Sequence, residues 1–278
     1  MISIYETPLT VFILAVLVYM ITGLLWYYKG VFGRKWMKLN HFKDEQIANS
    51  GPFALIGSVL NISLTVFSFI IIFQLIGDVS IKQAALLGLL TSISFFVAPL
   101  TIIYLFEKRP VGLLLIASSF HMVGFMLTGL IVGSSYISPI EKSFQLFGVS
   151  IWYFVLAILL YIIMGLIWYY QGAFGKVWLK LNKFKGEHII NTPKSLLLGV
   201  LLNISLLVFS FHMISKFIIP ITPLSGATLG FFSGLGFFAA PLATIYMFEK
   251  RSPKLFMVNA GFHLLAFVII GLLFGIAQ

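Results

Sequence analysis

The residues able to do chemistry in this chain are few, and they come in matched pairs. Asn61, Pro99, Glu107 and His121 recur as Asn203, Pro241, Glu249 and His263, each pair 142 residues apart. An imidazole can carry a proton or ligate a metal. A carboxamide donates and accepts at once. A proline inside a helix removes a backbone donor and frees the carbonyl four residues earlier, here Phe95 and Phe237. Ionisable groups within a bilayer are costly and face a bundle interior or a cavity. Asn61, His121, Asn203, His263, Pro99 and Pro241 are therefore candidates for a polar pathway or binding site. The bland alternative is interhelical hydrogen bonding, worth only ~0.6–2 kcal/mol per bond. Glu107 and Glu249 each open a Glu-Lys-Arg run. They read first as stop signals with local charge pairing, and alternatively as a cytoplasmic cation gate.

These residues sit inside long apolar runs. The chain has 278 residues, 60% hydrophobic and 9% charged, where a soluble domain carries about 25% charge. Its solvent is a bilayer. Four runs fill the first half, roughly 9–28, 53–76, 84–106 and 111–133, and four the second, roughly 147–170, 195–217, 228–248 and 255–276. Each is long enough, at ~1.5 Å rise per residue, to cross ~30 Å of hydrocarbon. Unpaired backbone groups are not tolerated in lipid, so the runs must be helical. Asn61 then lies ~12 Å and His121 ~15 Å deep, counted from the nearest loop.

The same 142-residue offset relates Trp26-Tyr27-Tyr28 to Trp168-Tyr169-Tyr170, and Phe106-Glu107-Lys108-Arg109 to Phe248-Glu249-Lys250-Arg251. The register holds throughout, so the chain is a tandem duplication, residues 1–136 and 137–278. The expected fold is all-α and polytopic. Eight transmembrane helices form two parallel four-helix repeats, related by a pseudo-two-fold axis along the membrane normal. The segment 134–143, with Pro139, joins them.

Fifteen of the 18 Lys and Arg residues fall on one side of this arrangement. By the positive-inside rule that side is cytoplasmic, with both termini outside, in the inner or plasma membrane. The N-terminus lacks the basic start of a signal peptide, so the first run reads as a retained span. The formal net charge of +10 is thereby explained through topology and anionic lipid on the cytoplasmic face, with no need for nucleic acid. Self-association into a homo-oligomer is left open. There are no cysteines, which rules out disulfides and thiol chemistry.

After the first span of each repeat comes a short amphipathic stretch. Phe32, Trp36 and Leu39 share one helical face, opposite Arg34 and Lys38; Phe174, Trp178 and Leu181 lie opposite Lys176 and Lys180. Together with Trp26 and Trp168 these are expected to form an interfacial, lipid-contacting belt. The pattern Gly23-x-x-Trp26-Tyr27, Phe32-Gly33-x-x-Trp36 and a late Asn259-x-x-x-His263 resembles the bacterial membrane family known as domain of unknown function 1761. The resemblance implies one four-span unit per repeat and no particular chemistry. The first repeat departs from it, with Ala117 where the second has Asn259.

No metalloprotease, nucleotide-binding or nucleophile-elbow motif occurs, and neither a cofactor nor a metal centre is expected. The leading expectation is a small-solute or ion transporter or channel with a polar site near mid-membrane between the repeats. The second is a lipid-interacting or scaffold protein with no permeation path. An embedded enzyme is the weaker third.

Overall fold

A computed structural model describes residues 7–43, 51–137, 151–184 and 193–277. Pro139, most of the joining segment, the start of the fifth run, Lys142, Lys185 and the first six residues lie outside them. The described residues are helical and contain no β-strand. In the first repeat, α1 (Leu9–Trp26) leads through a π-helical turn at Lys29–Gly33 into the short α2 (Arg34–Leu39). Then come α3 (Gly51–Ile76), α4 (Ile81–Ser92), α5 (Ala98–Phe106) and α6 (Val111–Gly133). The second repeat repeats the order with α7 (Ile151–Trp168), α8 (Lys176–Leu181), α9 (Lys194–Ser215), α10 (Pro223–Phe232), α11 (Ala240–Phe248) and α12 (Pro253–Ile276). Pairing α4 with α5 and α10 with α11 as single broken spans gives, among the described residues, eight helices long and apolar enough to cross a membrane.

The broken spans start alike. Ser80 and Gln83 form a capping box at the start of α4, as do Thr222 and Ser225 at α10. These caps satisfy helix donors that lipid would not. Before each proline the helix widens into a π stretch, Ile93–Val97 and Ser233–Ala239. There Ala98 N–H bonds to Ile93 O, and Ala240 N–H to Leu235 O, five residues back in each case. Pro99 and Pro241 are buried in the first turn of α5 and α11, where the missing donor is least costly.

Small residues bring α4 against α6 and α10 against α12. A Cβ on Gly88 would strike the Phe125 carbonyl, and one on Gly226 or Gly271 the carbonyl of the other. Such contact is how membrane helices gain packing without a hydrophobic drive. By contrast α1 turns only Ala15, Val16 and Tyr19 inward, and α7 only Ala157 and Tyr161. Both are peripheral helices whose buried side chains lie one turn apart.

The repeats meet through α3 against α11 and α5 against α9. Phenylalanine fills this seam. Phe69 packs on Phe237 at 4.5 Å between ring centroids, and its repeat mate Phe211 packs on Phe95 at 4.9 Å. Phe95 and Phe237 themselves lie 6.1 Å apart. Reciprocal contacts between residue i of one half and j of the other are what a two-fold relation produces.

Candidate functional site

Each histidine is held inside its own repeat. Tyr19 OH lies 2.5 Å from His121 Nδ1, and Tyr161 OH 2.7 Å from His263 Nδ1. Both histidines are buried. His121 is caged by Phe96, Phe120 and Phe125, and His263 by Phe238, Phe262 and Phe267. A chain of rings runs from one to the other: His121, Phe125, Phe237, Phe95, Phe267, His263, with successive centroids 5.9, 5.5, 6.1, 5.2 and 6.0 Å apart. Aromatic packing, and not a polar channel, therefore lies between them. The two histidines do not share a site, and among the described residues no group of three or more His, Cys, Asp or Glu is placed to hold a metal.

The asparagines lie apart from the histidine cages, and the two behave differently. Asn61 reaches across the seam to Thr244 Oγ1 at 3.0 Å. The position equivalent to Thr244 is Ile102, which offers no acceptor, and Asn203 turns back onto Gly199 O of its own helix at 2.8 Å.

The glutamates pair across the repeats. Arg109 Nη2 lies 2.5 Å from Glu249 Oε2, and Arg251 Nη2 2.6 Å from Glu107 Oε2. The expectation of pairing within each Glu-Lys-Arg run is corrected. Lys108 and Lys250 take a left-handed φ of 52°, and the arginine after each turns back over its own repeat's tyrosine while its guanidinium reaches the other repeat. Arg109 sits 4.3 Å above the Tyr104 ring and Arg251 4.3 Å above Tyr246. Both carboxylates are nearly enclosed, at 3% and 2% side-chain exposure. Charges so buried persist only when paired and hydrogen-bonded.

The two halves of this layer are not equal. In the second repeat Asn259 donates to Glu107 Oε1 at 3.2 Å and to Tyr246 OH at 2.9 Å, and accepts from Tyr169 OH at 3.0 Å. In the first repeat Ala117 stands in that place, and the buried Tyr104 hydroxyl is left with no partner. Burial raises the Glu249 carboxyl above the usual carboxylate range, and Arg109 and Arg251 offset this only in part.

The tryptophans turn toward protein. Trp26 Nε1 donates to Ile116 O at 3.2 Å and Trp168 Nε1 to Val258 O at 3.0 Å. Trp36 packs edge-on against Tyr27, and the buried Trp178 against Tyr169. The cause is a tight fold-back: a Cβ on Gly33 would meet the Tyr27 carbonyl, and one on Gly175 the Tyr169 carbonyl. These glycines let α2 and α8 lie against α6 and α12. Arg34, Lys38, Lys176 and Lys180 stay exposed on the outer face.

Beside α8 lies a cavity of about 330 Å³. Its walls come from α7, α9 and α12 of the second repeat and α5 of the first. Leu166, Leu197 and Leu201 at its edge are 69%, 50% and 44% exposed, so it opens sideways where lipid would lie. Its polar lining is two bonded pairs, Tyr161 with His263 and Tyr169 with Asn259. Tyr19, Tyr161, Tyr104, Tyr246, Arg109, Arg251 and Asn259 were not among the expected site residues. For all but Asn259 the signal was present, since each recurs at the 142-residue offset.

The family described as protein of unknown function (DUF1761) matches residues 10–133 and again residues 152–275. The chain belongs to the DUF1761 family. It holds two copies of the family unit, each spanning one four-helix repeat. No curated protein and no solved structure matches it. In this DUF1761 protein the aromatic-glycine motifs serve the fold-back of α2 and α8, and the late Asn-x-x-x-His motif supplies both the hub of the charge layer and part of the cavity's polar lining.

Proposed function

We propose that this multi-pass membrane protein is a lipid-interacting protein that takes a hydrocarbon-tailed molecule from the bilayer into the cavity beside α8. The sideways-opening, largely apolar cavity with a small polar lining carries this reading. Its volume of about 330 Å³ falls at the lower end of the ~300–1,000 Å³ typical of ligand pockets. The cavity lies near the loops that hold most Lys and Arg, so the ligand enters from the cytoplasmic leaflet. The exposed cations of α2 and α8 keep that face against anionic lipid. Photo-crosslinking with a lipid carrying a diazirine in its acyl chain tests it. Adducts should concentrate on α9 and α12 around Leu201 and Phe262; an even spread over the lipid-facing surface of α1 and α7 overturns it.

Solute or ion transport is the second reading. The paired Glu–Arg bridges favour it, because they close the basic side of the seam where a cytoplasmic gate belongs. The phenylalanine-filled axis gives it no support, so an open path requires the repeats to part. Proteoliposome flux that is unchanged by Glu107→Gln with Glu249→Gln counts against a gate.

A further inference from the structure

The cavity's polar lining specifies the head of its ligand, an inference that rests on the lipid-binding reading above. Tyr161 OH is buried, and the bond it makes is to His263 Nδ1. A buried phenol leaves its proton stranded unless it donates. Tyr161 therefore donates, Nδ1 accepts, and the neutral ring carries its hydrogen on Nε2. His263 lines the cavity, and Nε2 is the ring nitrogen that Tyr161 does not occupy. The other polar groups there are already engaged: Asn259 with Glu107, Tyr246 and Tyr169. Glu107 is neutralised by Arg251. Among the described residues no Lys or Arg lines the space. A charged head would enter without a counter-ion, at a heavy desolvation cost.

We propose that the cavity binds a lipid with a neutral carbonyl head, held by the His263 Nε2–H donor, and that the head is a flat quinone-type ring. Phe262 supplies an aromatic wall beside His263, and Tyr169 and Trp178 continue it along the cavity. Such faces pack on a planar ring with more specificity than on a branched chain.

The test is equilibrium binding to the full chain in nanodiscs, with four probes of equal decyl chain: a benzoquinone, an alkylbenzene, a primary alcohol and a carboxylate. The quinone should bind about tenfold or more tighter than the alkylbenzene. His263→Phe should abolish that preference while the alkylbenzene still binds, which also shows that the variant is folded. His263→Gln, which keeps a donor, should restore part of it. Leu201→Trp, at the cavity mouth, should weaken all four. Equal affinity for quinone and alkylbenzene overturns the head assignment and leaves the lipid pocket standing. So does tightest binding of the carboxylate or the alcohol. Failure of every probe to bind overturns both the assignment and the lipid-binding reading.

Discussion

Arg109 of the first repeat and Glu249 of the second are joined at 2.5 Å. Their repeat mates Arg251 and Glu107 make the same bond in the opposite sense, at 2.6 Å. Each half draws the guanidinium that bonds its buried carboxylate from the other half. The duplication is therefore one cooperative unit on the basic side of the membrane. Arg109→Met should strand Glu249 and cost ~3–5 kcal/mol, as for a broken buried pair. Arg109→Met with Glu249→Gln should cost less than the sum of the two single changes. Thermal unfolding in detergent over the double-mutant cycle measures the coupling, and additivity would contradict the bridge.

Ala117 withholds from Glu249 the amide that Asn259 gives Glu107. Because burial raises the Glu249 pKa, the folded state holds its carboxyl proton to a higher pH than the unfolded chain does. The stability this gives is complete at pH below the ordinary carboxylate range and fades as pH rises through the folded value. Ala117→Asn should supply a donor to the ionised form, worth ~1.5–3 kcal/mol, and lower the pKa. The infrared band of the protonated carboxyl reports it. An unmoved band means that position 117 does not face Glu249.

Asn61 and Asn203 differ because Thr244 and Ile102 differ. Thr244→Val should cost ~0.6–2 kcal/mol by releasing Asn61. Ile102→Thr gives Asn203 an acceptor across the seam, drawing α9 toward α5. Since Ile102 lines the cavity, crosslinking by the acyl-chain probe should fall several-fold.

Phe95 and Phe237 plug the axis. Each change to Ala should cost ~3–5 kcal/mol. If the axis is also the barrier, the double variant should leak small ions in proteoliposomes where the parent is tight. A stable, tight double variant would show that the seal lies elsewhere.

The absence of cysteine makes topology directly testable. Lys38→Cys and Lys180→Cys, at equivalent places on α2 and α8, should both react with an impermeant maleimide from the same face. Reaction from opposite faces contradicts parallel repeats.

What the sequence determined by itself was whatever depends on solvent and on register along the chain. Apolar runs of span length must be helices in lipid, and an unbroken 142-residue offset makes two like-oriented units. What tertiary structure decided was which polar group meets which. Helical pitch and depth placed His121 and His263 at one level, yet could not say that Tyr19 and Tyr161 arrive from peripheral helices or that four phenylalanines stand between them. The motif marked Glu107 and Glu249, but Lys108 and Lys250 turn the backbone so that each arginine reaches across the seam. Partner choice across a seam depends on rotation and approach of helices far apart in sequence, and glycine contacts such as Gly236 on Ser68 set these only once the chain is folded.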